Sequence, residues 1–254
     1  MTNTETWQGR LALMAAHCAG MVALVALPVL VGTLIASYGL DPQRAGGLVT
    51  LFLGGAVAGS LFFAPRLHRF RARPAATVGY AGAALAFGAV AQNGDYVAMA
   101  VMHAVAGIAA GSALSFTHGT IGRSAQPHRL FAFVNIALGV FAVPFLAVAP
   151  KFVALFGGQA LFWLLGGIMA LAAAACALAF PVPPPGQVGV PGQADGSGGQ
   201  PLGSRIWLGA VGVSCLSLMN APAVYCDGWG MLLPADKSGV SIDGVLCLGL
   251  SAAV

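Results

Sequence analysis

Charge is the scarcest commodity in this sequence. Only 7% of its 254 residues are charged, against 58% hydrophobic ones, where soluble domains carry roughly 25%. A water-soluble globule could not cover its surface with so few charges, so that class is excluded. Acidic residues number 7, and none lies in a pair within an apolar run. Cysteines number 5, at Cys18, Cys176, Cys215, Cys226 and Cys247, with no CxxC spacing, which removes a disulfide framework or zinc site and leaves small apolar packing residues. No HExxH, GxSxG or membrane Asp pair is present, so zinc, serine and aspartyl chemistry lack their usual residues. Ser115 and His118 share a common helical spacing without a third member.

What is present is a series of long apolar runs, near residues 11–38, 45–65, 75–92, 96–119, 130–149, 159–181 and 206–225. Most reach the roughly 17 to 25 residues that a spanning helix needs, and none has the alternating pattern of an outer-membrane strand. An eighth run opens at Asp243 and extends to Val254, about 18 Å of helix at 1.5 Å per residue. The expected fold is therefore all-α: a polytopic transmembrane helical bundle of seven spans and a started eighth. The first run is too long for the apolar core of a signal peptide, and Glu5 precedes it, so it reads as a retained span.

Arginines set the orientation. With the N-terminus inside, the cytoplasmic loops collect Arg10, Arg66, Arg69, Arg71, Arg73, Arg123, Arg129 and Arg205, and the outside holds Arg44, Lys151 and Lys237. That bias predicts a multi-pass protein of the inner membrane with a cytoplasmic N-terminus. It also accounts for a pI near 9.0 without nucleic acid, which needs its cations on one soluble face. The expected partner of such a bundle is the lipid bilayer, with no cofactor and no metal.

Residues 181–205, PVPPPGQVGVPGQADGSGGQPLGSR, are made almost wholly of Pro, Gly, Gln and Ser with a single acid, and read as a flexible cytoplasmic linker. They divide the chain into a six-helix bundle (1–180), the linker (181–205) and an incomplete second bundle (206–254). The opening of the eighth run, GVSIDGVLCLGLSAAV, can be laid on GLDPQRAGGLVTLFLGGA from Gly39, as parallel repeats would require.

Several stretches together carry a resemblance: GLDPQRAGGLVTLFLGGAVAGSLFFAPRL in span two, HRFRARP after it, HAVAGIAAG in span four and LFGGQALFWLLGG entering span six. The sequence resembles the major facilitator superfamily of secondary transporters. The resemblance implies transport of an unknown small solute by alternating access at a midplane site between two six-helix halves, of which this chain would hold the first and the start of the second. Truncated in that way, it would need a second copy or a separately encoded C-terminal half; the alternative is a truncated, non-transporting membrane protein or scaffold. The loop after span two departs from the family pattern. His68 stands where an Asp is common, Arg69, Phe70 and Arg73 are kept, and Arg71 takes a Gly place. In span four His103 stands where many members have Arg.

Polar residues in the apolar layer usually face the bundle interior. His17 in span one, His103 and His118 in span four, Asn135 in span five, and Asn220 and Tyr225 in span seven are the candidates for a substrate or proton pathway. For each, the plainer reading is a core residue satisfied by a hydrogen bond, as it is for Tyr80 in span three. His103 and His118 lie some 22 Å apart along one helix and cannot share a metal. Gly55 and Gly59, and Gly107 and Gly111, are four apart on their helices and read first as packing faces. Pro144 removes a backbone hydrogen bond where the family often has a gating motif. No Asp, Glu, Lys or Arg lies mid-span in spans one to six. Phe52, Phe62, Phe116, Phe131 and Phe133 would suit a hydrophobic solute or lipid equally.

Overall fold

A helix in hydrocarbon satisfies its own backbone, and each apolar run among the described residues takes that solution. The computed structural model describes residue 4 and residues 6–181, within the unit Met1–Gly189. Its helices are α1 (Trp7–Val25), α2 (Leu27–Tyr38), α3 (Pro42–Phe63), α4 (Ala72–Gln92), α5 (Tyr96–Gly122), α6 (Pro127–Phe156) and α7 (Gln159–Ala179). Six stretches among the described residues are long and apolar enough to cross a membrane, with mean hydropathy from 1.3 to 2.3. The described residues contain no strand. The expected linker beyond residue 181, span seven, the opening of span eight, Asn220 and Tyr225 lie outside the described residues.

Helix starts follow short polar signals. The Thr6 hydroxyl accepts the Gly9 N–H at 3.2 Å, the Asp41 carboxylate the Arg44 N–H at 2.8 Å, and the Asp95 carboxylate the Ala98 N–H at 2.9 Å. Each satisfies an amide that the first turn leaves without a partner. At the end of α2, Gly39 adopts φ 64°, and the N–H of Leu40 turns back to the Leu34 carbonyl at 3.2 Å. That left-handed stop needs glycine.

The first apolar run is not one uninterrupted helix. It divides at Ala26, between α1 and α2, because Pro28 has no N–H to give to the Leu24 carbonyl. In contrast, α6 runs through both Pro144 and Pro150 without a break. Its lost hydrogen bonds are confined to single carbonyls, and helical geometry resumes at once.

In cross-section α5, α4, α7 and α1 close a ring, α3 packs outside α5, and α6 lies against α1. Lipid offers no hydrophobic drive for helices to associate, so close backbone approach has to supply the attraction. The α3–α5 seam does so through glycine. A Cβ on Gly55 would fall 2.6 Å from the Ala104 carbonyl oxygen, and one on Gly59 2.5 Å from that of Ile108. From the other side, Gly107 abuts the Phe52 carbonyl and Gly111 that of Ala56. The Ser60 hydroxyl crosses the seam to the Gly111 carbonyl at 3.0 Å. All four glycines thus share one interface.

Candidate functional site

Two of the expected pathway residues meet. His17 of α1 and His118 of α5, 101 residues apart, bring Nδ1 and Nε2 to 3.0 Å, with ring centroids 5.2 Å apart and planes tilted by 41°. His17 is 3% exposed. Its Nε2 is buried and has no hydrogen-bond partner among the described residues. The other side of His118 meets the Phe131 ring of α6 edge-on, at 5.6 Å, so the pair stands where α1, α5 and α6 converge.

A neighbouring layer ties in α4. The Tyr80 hydroxyl, fully buried, donates to the Ala16 carbonyl at 2.6 Å and lies 3.4 Å from the Thr117 hydroxyl. Thr117 in turn donates to the Ala113 carbonyl at 2.9 Å. Ala16 and Thr117 immediately precede the two histidines in sequence. The α1–α4–α5 contact therefore holds the backbones from which both imidazoles project.

His103 is elsewhere. It is 0% exposed, its Nδ1–H donates to the Met99 carbonyl at 2.8 Å, and Phe87 of α4 and Phe162 of α7 present ring contacts near 90° to it. With Nδ1 carrying the proton, Nε2 is a bare acceptor, and it has no partner among the described residues. This is a core position between α4, α5 and α7, apart from the pair. Asn135 is exposed on α6, its amide donating to the Phe131 carbonyl at 2.8 Å, and Pro144 is exposed further along that helix.

The basic loop is held mainly by aromatic rings. Ala64–Arg69 forms a 3-10 turn, and Phe70 then packs on Phe63 at 5.5 Å and Phe116 at 6.2 Å. Arg66 lies 4.3 Å over the Phe62 ring and donates to the Phe62 carbonyl at 2.6 Å. The Arg73 guanidinium reaches the carbonyls of Ala177 and Leu178, placing a cation on the C-terminal turn of α7, where the helix dipole favours one. His68, Arg69 and Arg71 are exposed. Among the described residues, no three or more of His, Cys, Asp and Glu are placed to share a metal ion.

Sequence reasoning named both partners of the histidine pair but not their contact, because nothing local links two helices so far apart in the chain. It also missed Phe70 as an anchor and Arg73 as a helix cap. The excess of aromatic residues around the loop was the available signal for the first.

The arrangement is that of a polytopic bundle with a small polar layer set among apolar helices. No curated protein matches the chain. The family model described as Major Facilitator Superfamily matches residues 12–254, nearly the whole sequence and all six described spans. The chain is a multi-pass membrane protein that belongs to the Major Facilitator Superfamily, a family of transporters.

Proposed function

We propose that this protein moves a small solute across the inner membrane by alternating access, with its N-terminus in the cytoplasm. The observation that carries the reading is the family match across residues 12–254 together with the six-helix bundle it spans. In such folds the pathway lies at the interface of two bundles that rock about a midplane site. The described bundle would supply one wall. The exposed face of α6, with Asn135 and Pro144, supports a place on that wall, since only 11% of its most apolar window is buried within the bundle. His17, His118 and, in the undescribed part, Asn220 and Tyr225 complete the proposed pathway, while His103 has the surroundings of a packing residue.

Support for the orientation comes from the same end of the bundle. The start of α1, the α3–α4 connection, the α5–α6 connection and the end of α7 lie together there and carry Arg10, Arg66, Arg69, Arg71, Arg73, Arg123 and Arg129; the opposite end carries Arg44 and Lys151. Cations concentrate on the cytoplasmic side of membrane proteins. The glycine seam between α3 and α5 would let these helices slide during the rocking motion.

The test is transport by the purified chain in sealed proteoliposomes, screened against panels of sugars, amino acids, organic ions and hydrophobic cations. Solute accumulation or counterflow above protein-free vesicles is the expected result. Absence of flux for every class, from protein whose helicity is intact, would overturn it.

A further inference from the structure

The geometry points to His17 and His118 as a single proton-binding site, in which one added proton is taken up at Nε2 of His17 and its charge is shared with His118. The nitrogens facing each other at 3.0 Å can hold only one hydrogen between them, because a neutral imidazole has one donor and one acceptor. Burial decides which ring donates. A buried N–H without an acceptor is rarer and costlier than a buried acceptor without a donor, and His17 Nε2 is the atom that has no partner. The resting pair is therefore His17 Nδ1–H donating to His118 Nε2, with His17 Nε2 bare and the remaining proton on His118 Nδ1.

Proton balance follows from that assignment. Uptake forms one new N–H bond at His17 Nε2, the proton drawn from water, and leaves that N–H without an acceptor among the described residues; the cost is offset by the bond from His17 Nδ1–H to His118, which becomes charge-assisted once His17 is an imidazolium. A second proton would have to occupy the His118 Nε2 lone pair. That would remove the acceptor and set two cations face to face, so the site holds one proton only.

Among the described residues, none of the helices around the pair supplies a carboxylate to neutralise a second charge. From α4 the neighbouring ionisable group is Tyr80, whose hydroxyl is already given to the Ala16 carbonyl. From α7 it is Cys176, and on α1 itself Cys18 follows His17 and Arg10 precedes it by seven residues. α5 itself carries, besides His118, only His103 and Tyr96 toward its far end, and just past its last residue Arg123 donates its Nε–H to the Gly119 carbonyl at 2.9 Å. On α6 His128 and Arg129 precede Phe131. Neither α2 nor the mid-span part of α3 carries an ionisable side chain other than Tyr38 at the far end of α2.

Because the two rings bridge α1 and α5 and touch α6, occupancy of this site changes the charge where three helices meet. That link to transport rests on the reading above; the proton site does not.

The experiment is nitrogen NMR of the full chain, labelled with 15N-histidine and reconstituted in lipid, through a pH titration between about 4 and 9. Expected are a coupling across the hydrogen bond between His17 Nδ1 and His118 Nε2, and a single protonation step. In that step His17 Nε2 passes from bare to protonated while the coupling persists. His118→Gln should abolish the coupling and change the proton affinity of His17 at least tenfold. Two independent protonation steps, or no coupling and no titration of either ring, would overturn the proposal, and the unsubstituted protein suffices to show either. A site that titrates as described in a protein that moves no solute would sink only the transport reading.

Discussion

Gly54 and Gly55 are adjacent on α3, yet alanine at the two positions should act in opposite directions. At Gly55 a Cβ would sit 2.6 Å from the Ala104 carbonyl oxygen and 3.1 Å from the Ile108 nitrogen. Ordinary contact begins near 3.4 Å, so α3 and α5 must separate by about 0.8 Å at that point, an overpacking that costs typically 1–3 kcal/mol. Both obstacles are backbone, and no side-chain rotation relieves them. At Gly54 nothing among the described residues lies within 4 Å of the added carbon, and alanine gains up to ~1 kcal/mol in helix propensity. The propensity gain is common to both variants, so the difference between them is the overpacking cost, about 1–3 kcal/mol. Reversible unfolding by SDS in mixed micelles reads it directly. Equal effects, or a larger loss for Gly54→Ala, would refute a seam built on backbone contact between α3 and α5.

Further outcomes follow from single contacts. Tyr80→Phe removes the buried hydroxyl from the Ala16 carbonyl and should lower stability by about 0.6–1.7 kcal/mol, the range of hydrogen bonds between membrane helices, in the same unfolding assay. Asp95→Ala removes the α5 cap and should cost ~1 kcal/mol, with faster hydrogen exchange at Ala98. His103→Leu removes a buried acceptor that has no partner among the described residues, at the expense of one bond to Met99, and should leave stability within about 1 kcal/mol of the parent; a loss well beyond that would show that His103 has a polar partner. Arg73→Gln should loosen the last turn of α7, seen as several-fold faster exchange there, with little change in α1.

The six spans were legible because each apolar run is long and because lipid leaves the backbone no alternative to a helix. Asp41 could be read as a cap from its place before an apolar run, and it caps α3. The glycine quartet could be read as packing faces from spacing alone, although the sequence did not show that the faces of spans two and four meet each other. The division at Ala26 was less visible. Pro28 marks it, but Pro144 and Pro150 sit inside an unbroken α6, so proline alone does not distinguish a break from a continuous helix. The histidine pair was hidden for a different reason. Contact between residues 101 apart depends on how α1 crosses α5, which is set by the Tyr80 and Thr117 layer and by helix packing, not by any local pattern. For His103, the aromatic cage comes from α4 and α7, and only the assembled bundle shows that it is fully buried between aromatic rings.

In the proposed transport cycle the α6 face carrying Asn135 lines a water-reachable pathway. The most direct measurement labels Asn135→Cys with a membrane-impermeant hydrophilic thiol reagent, in a background with the native cysteines replaced, applied separately from each side of sealed vesicles. Leu171→Cys, on a 73% exposed position of α7, serves as the lipid-facing comparison. Labelling of the Asn135 position from both sides as the protein alternates, with none at Leu171, is the expected result. Labelling at neither position, or equally at both, would contradict it.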